Sequence, residues 1–325
     1  MLSNLRRSNV PAAARLVICR LVLFPALIAL LLALTACFSP GAGNDDIPDL
    51  GGPQYSALMV SSDLAKGSNR LIFALVDRNN VPVSADTATV VPMYSPPGGA
   101  DPELKEAITA HFLSWPPEGS GRGVFVAEIE FDIAGDATRQ HPGLWELKVS
   151  ATDSDGDSVE ATTAVRVAAI PATPGIGTPA PRSVTPTLDQ VDDLAEISSD
   201  PNPDPGFYQL SVAEALDEEV PLVVLFSTPA FCVSATCGPQ LEVLQNLKER
   251  YDGKANFIHV EVFEDPHLIE GNRFAAKKVP AVDEWGLPSE PWTFVVDQDG
   301  LVQAKFEQFT PESLLDETLS RLLGI

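Results

Sequence analysis

Cys232 and Cys237 follow a continuous apolar run, Leu222-Val223-Val224-Leu225-Phe226, and precede a stretch whose Leu241, Leu244, Leu247 and Tyr251 fall on one helical face. A thiol at a strand-to-helix junction meets free backbone N–H groups and the positive end of the helix dipole. Both favour the thiolate, the nucleophile of thiol–disulfide exchange. One thiolate attacks a disulfide and a second cysteine resolves the mixed species. Four residues, Val233-Ser234-Ala235-Thr236, separate this pair. On a regular helix, residues five apart diverge by about 140° around the axis, too far for a bridge, so at least one cysteine belongs to the loop before the helix. No Lys or Arg occurs between Gly206 and Leu247, which leaves the helix terminus as the local source of positive potential.

Two other chemistries use the same residues. A soft cysteine pair with a histidine can hold Cu(I), with His267 in Asp265-Pro266-His267, or His259 on a predicted strand, supplying nitrogen. A structural disulfide in a partner-binding domain is the third reading. The turn carrying Asp153, Asp155, Asp157 and Glu160 has oxygens for calcium, but Gly156 stands fourth where a calcium loop of the EF-hand kind needs glycine sixth, and a solvated hairpin turn is the simpler expectation.

The remaining cysteines lie near the N-terminus. Arg6, Arg7, Arg15 and Arg20 precede an apolar run over 21–33, and Leu34-Thr35-Ala36-Cys37 follows at once. A charged segment, a short apolar one and small residues before a cut predict a secretory signal over 1–36. The Leu-Thr-Ala-Cys sequence resembles the lipobox of bacterial lipoproteins. That resemblance implies cleavage before Cys37, a diacylglycerol anchor on Cys37, and a chain held on the cell membrane facing outside the cytoplasm. An uncleaved anchor is the alternative, although the run is short for a spanning helix. After such a cut Cys232 and Cys237 are the remaining thiols, in an oxidising compartment where a cysteine pair is a designated one. The cut leaves 17 basic residues against 45 acidic ones, a formal charge of −28 in place of −24. So acidic a chain argues against nucleic acid and against docking on anionic headgroups. The cysteine pair and the lipobox resemblance make exported protein thiols or disulfides the expected partners.

The elements that must position the pair follow from the pattern. Residues 37–54, rich in Gly, Pro and Asp, read as a tether. Over 55–168, short alternating segments predict strands at Tyr55–Val60, Arg70–Val76, Thr87–Met93, Gly123–Phe131, Leu144–Ala151 and Ala161–Val167, with a helical or irregular insertion at Pro102–Phe112. Half-buried strands about a turn apart suggest an immunoglobulin-like β-sandwich, and the region resembles small extracytoplasmic domains of the FixH and YtkA type. Residues 169–206, with Pro171, Pro174, Pro179, Pro181 and Pro186, read as a Pro-rich spacer holding the last domain away.

From 207 to 325, strand and helix signals alternate: a strand at Phe207–Leu210, a capping box at Ser211 and Glu214, the apolar strand to Phe226, the helix after the cysteines, a strand at Phe257–Phe263, a helical stretch at Ile269–Lys278, a hairpin about Gln298-Asp299-Gly300, and a last helix after Thr310-Pro311. This order resembles the thioredoxin family. Pro221–Phe226 stands where that family has its central strand, Cys237-Gly238-Pro239-Gln240 looks like its Cys-Gly-Pro-Cys motif with the last cysteine replaced, and Glu290-Pro291-Trp292-Thr293 stands where it has a cis-proline. The resemblance implies thiol–disulfide exchange through Cys232 and Cys237 beside Pro291. Counting from the strand makes Cys232 the attacking residue and Cys237 the resolving one, while the local motif puts Cys237 first. The thioredoxin-fold Sco copper chaperones, with a cysteine pair and a histidine, are the family behind the copper alternative of Cys232, Cys237 and His267. The fold class expected is therefore multidomain, an immunoglobulin-like β-sandwich followed by an α/β thioredoxin-like fold, with no cofactor on the leading reading.

Overall fold

The computed structural model describes residues 52–325 apart from 118 and 272. The predicted signal over 1–36, the lipid-bearing Cys37 and most of the tether lie outside the described residues. No helix among the described residues is long and apolar enough to cross a membrane.

Strand alternation builds the first sheet. It comprises β1 (Tyr55–Met59), β2 (Gly67–Asp77), β3 (Thr87–Ser95), β4 (Glu103–Leu104), β5 (Ile108–Ser114), β6 (Gly123–Phe131), β7 (Leu144–Thr152) and β8 (Ser158–Val165). In β6, Phe125, Ala127, Ile129 and Phe131 are buried while Glu128 and Glu130 are exposed, the period-two signature of a strand with one face to the core. All pairings are antiparallel, in the order β1-β2-β6-β5-β3-β7-β8 with β4 on β3. The terminal strands β1 and β8 pack against each other, so the sheet curls until it is nearly closed around Trp145, Phe131 and Phe73. This corrects the immunoglobulin-like sandwich: hydrogen bonding passes continuously through seven strands instead of breaking into two facing layers. The insertion expected at Pro102–Phe112 also differs, because Ala110 turns inward between the exposed Thr109 and His111 and the stretch pairs as β4 and β5. The acidic loop is the β7–β8 turn, where the Asp153 carboxylate accepts the N–H groups of Asp155 and Asp157 at 3.0 and 2.8 Å.

The second sheet has four strands, β9 (Leu222–Ser227), β10 (Asn256–Glu261), β11 (Trp292–Val296) and β12 (Val302–Glu307), in the order β10-β9-β11-β12. β10 runs parallel to β9, and the other pairs are antiparallel. All six residues of β9 are buried. Leu222, Val224 and Phe226 pack with Trp285 and Phe294 on one face, and Val223 and Leu225 pack with Leu241, Leu244 and Leu247 on the other. Burial on both faces is why β9 reads as an unbroken apolar run. The helices are α1 (Val212–Ala215), α2 (Cys237–Arg250), α3 (Pro280–Glu284) and α4 (Glu312–Leu323).

These elements overturn the expected α/β thioredoxin-like assignment. Phe207–Leu210 is not a strand: Pro205–Phe207 forms a 3-10 turn, with the Asp204 carboxylate accepting Gly206 N–H at 2.8 Å, and the Tyr208 hydroxyl is drawn to His259 at 2.7 Å. The helix expected at Ile269–Lys278 is reduced to the 3-10 turn Arg273–Ala275 before α3. With twelve strands against four α-helices, two of only 4 and 5 residues, the described chain is mostly β: one nearly closed antiparallel sheet and a second, smaller sheet.

The Pro-rich stretch does not stand clear as a spacer. Asp63 accepts Ala172 N–H at 2.7 Å and Thr173 N–H at 3.0 Å, Ala180 N–H donates to Gly300 O at 2.9 Å, and Ser199 binds Glu261. Its side chains and amides find partners on segments of both sheets, which composition alone does not reveal. The two sheets also touch: Ser62 N–H donates to Glu307 at 2.9 Å, and Lys305 Nζ lies 3.3 Å from Asp63. Residues 53–325 form one compact unit.

Candidate functional site

β9 delivers the chain at Ser227, and a turn closed by Phe231 N–H on Thr228 O brings it to Cys232. Five residues later α2 begins at Cys237. Between them Ala235 takes a φ of 57°, a left-handed conformation that costs an L-residue about 1–2 kcal/mol and folds the loop back on itself. The bend brings the two Cα atoms to 6.0 Å, and Cys232 and Cys237 form a disulfide.

The two sulfurs occupy unlike surroundings. Cys237 is fully buried at the first turn of α2, whereas Cys232 is half-buried beside the exposed Val233. The Cys237 N–H points at Cys232 Sγ at 3.3 Å, and the Ser234 hydroxyl lies at 3.3 Å from the same sulfur. A helix-terminal amide and a hydroxyl thus converge on Cys232, and both stabilise a thiolate there once the bridge is reduced.

Pro291 enters through a cis bond with Glu290 at the head of β11. Gln308, just past β12 with a φ of 63°, joins it to the cysteine loop. Its N–H donates to Pro291 O at 2.8 Å, its Nε2 donates to Glu290 O at 3.0 Å, and its Oε1 accepts the Thr236 hydroxyl at 3.2 Å. Thr236 in turn meets Ser234 at 2.7 Å. Nothing in the local sequence about Gln308 signals this bridge.

Two cations missed by local reading reach the loop from far away in the chain. Arg122, in the β5–β6 turn, donates from Nη2 to Ser234 O at 2.8 Å, and Arg273 donates to Phe231 O. The Arg122 position between Gly121 and Gly123 marks a tight turn, and its target lies 112 residues away. Glu290 adds a carboxyl that burial holds above the usual range, against the pull of Lys278 and Arg273.

The histidines are elsewhere. His259, in mid-β10, is buried with Nδ1 at 2.7 Å from the Tyr208 hydroxyl and Nε2 at 2.9 Å from the Ser227 hydroxyl. Burial lowers its pKa to about 4 and raises that of Tyr208. His267 is exposed on the 3-10 turn Pro266–Leu268. Among the described residues no group of three His, Cys, Asp or Glu side chains is gathered as metal ligands. Leu225 and Phe226, near the end of β9 before the cysteine loop, are both buried in the core. The nearest buried acid in register is Glu261, opposite Ser227. Burial raises its pKa while Ser199 and Thr228 oppose the shift, and the Ser199 hydroxyl also accepts Ala230 N–H at 3.2 Å.

Fold and site together define a mostly β protein with a disulfide at the mouth of a helix. No protein-family model and no curated protein matches the chain. Among solved structures, MtrC from Shewanella baltica OS185 is 12% identical over 35% of this chain and 22% of its own, with a TM-score of 0.24. CopC from Methylosinus trichosporium OB3b is 13% identical over 34% of this chain and 93% of its own, with a TM-score of 0.20. Scores this low transfer neither a fold nor a chemistry to this chain.

Proposed function

We propose that the protein exchanges thiols and disulfides with exported proteins through Cys232 and Cys237, from a lipid anchor on Cys37 that holds it at the outer side of the cell membrane. The observation that carries this reading is the asymmetry of the pair. Cys232 is half-buried and receives the Cys237 N–H at 3.3 Å, while Cys237 is fully buried behind it. An accessible sulfur with a helix-terminal donor attacks, and a buried one resolves. Cys232 therefore takes the attacking role.

In the exchange the Cys232 thiolate bonds to one sulfur of a partner disulfide, whose S–S bond breaks and releases a thiolate. Cys237 then attacks Cys232, forming the 232–237 bridge and releasing the partner's second thiol. The partner gains two electrons and the pair loses two; the reverse sequence oxidises a partner dithiol.

Glutathione disulfide tests the assignment on the full chain. Reduced Cys237→Ser is expected to accumulate a glutathione adduct on Cys232, read by peptide mass, while Cys232→Ser acquires none at position 237 on the same timescale. Equal labelling of both variants, or of neither, contradicts it.

A further inference from the structure

Arg122 belongs to the first sheet, yet its guanidinium ends on the cysteine loop of the second. Nη2 donates to Ser234 O at 2.8 Å, and the Ser234 hydroxyl lies 3.3 Å from Cys232 Sγ. The β5–β6 turn that carries it is built to project: Trp115 is buried and donates its N–H to Arg122 O at 2.8 Å, and Ser120 accepts Arg122 N–H at 3.2 Å. Gly123 cannot accept a side chain, because an added Cβ would come within 2.4 Å of the Phe112 ring and 2.5 Å of Leu113 O. Thus the backbone on both sides of Arg122 is fixed by the first sheet, and the side chain crosses to the second.

We propose that Arg122 is a positioning residue of the thiol site, holding the Val233–Thr236 loop by its Ser234 carbonyl and placing a positive charge beside the Cys232 thiolate. This inference rests on the exchange reading above and adds that the first sheet is a working part of the site. A guanidinium stays charged at any pH where thiols titrate, so its field on the sulfur is permanent. A second charge at the loop is Arg273 at Phe231 O, and Glu290 feels both Arg273 and Lys278. Arg273 reaches the loop from the segment between β10 and β11, whereas Arg122 reaches it from the β5–β6 turn of the first sheet. The bond to Ser234 O also restrains the loop that must open when Cys232 engages a partner, so Arg122 acts on both the charge and the shape of the nucleophile.

The test uses the full chain with Cys237→Ser, reduced, and follows iodoacetamide alkylation of Cys232 against pH on its own peptide. The alkylation midpoint in the Arg122 parent is expected below that of a free cysteine. Arg122→Gln is expected to raise it by about half a pH unit or more at low salt, with the gap narrowing as salt rises, and Arg122→Lys to restore most of it. Because Arg122 is half-buried in a turn, both variants are expected to fold. An unchanged midpoint in Arg122→Gln overturns the proposal while leaving exchange itself intact. If Cys232 fails to alkylate below the free-cysteine range in the Arg122 parent, no such field acts on the sulfur and the proposal is overturned, whereas absence of the glutathione adduct on Cys232 is the result that removes exchange itself.

Discussion

The two sheets solve burial differently. In the first, strands such as β6 and β7 alternate core and solvent residues around Trp145, and the polar face is left to water. In the second, β9 is buried on both faces, and polar side chains on the neighbouring strand are buried with it, His259 in mid-β10 and Glu261 at its end. A one-faced sheet tolerates water along its length. In a two-faced one buried charged and ring groups depend on protein partners, as His259 does on Tyr208 and Ser227 and Glu307 does on Ser62 and Ser289. The contrast locates fragility: packing in the first sheet, polar partnership in the second.

Removing the packing should have the largest effect. Trp145 is fully buried, its ring 4.9 Å from Phe131 and 5.3 Å from Tyr94, so Trp145→Ala is expected to cost about 3–5 kcal/mol in urea unfolding. A loss below about 1 kcal/mol would mean that the curled sheet does not depend on its interior. Cutting the join between the sheets comes next. Asp63 serves Ala172, Thr173 and Lys305 from a nearly inaccessible position, and Asp63→Ala is expected to cost about 2–4 kcal/mol. A probe in each sheet should then report unfolding at different denaturant concentrations if this contact couples them.

The pH dependence sharpens the same contrast. His259 is neutral when folded, with a value near 4 against an ordinary 6.5. Its contribution is fully present above 6.5 and is lost as pH falls through 4, an acid-side loss on the order of 3 kcal/mol that His259→Asn should flatten. Glu261 and Glu307 act with the opposite sign. Burial raises both, so their contribution is present in acid, below the unfolded carboxyl value, and is lost as pH rises through the raised folded values. Glu307→Gln should therefore weaken the loss of stability that sets in as pH rises above the ordinary carboxyl range. The smallest effect belongs to the bridge. Reducing Cys232–Cys237, which closes a short loop, should lower stability by about 2 kcal/mol, with the second-sheet probe responding first.

What the sequence revealed tracks this division. β1, β3, β6 and β7 lie where alternation predicts them, and β9 where an unbroken apolar run does, because side-chain period records burial directly. The closure of the first sheet was invisible, since strand order depends on pairing between distant segments such as β2 with β6. Phe207–Leu210 and Ile269–Lys278 misled because short apolar stretches leave helix, strand and turn open until tertiary partners such as His259 decide. At the site, the cysteine pair could be singled out by type and spacing, and Pro291 only through the family resemblance of its segment. Arg122, Arg273 and Gln308 could not, because each reaches the loop from far along the chain through a backbone carbonyl or a hydroxyl, leaving no local pattern.

The central claim is that the bridge is a working redox pair, and an equilibrium titration of the full chain in dithiothreitol buffers, with Cys232 and Cys237 read as separate peptides, addresses it most directly. A reversible two-electron transition with a midpoint above about −300 mV is the expected result. A bridge that stays closed below about −300 mV, with Cys232 inert to glutathione disulfide after forced reduction, would contradict exchange and leave a structural cross-link.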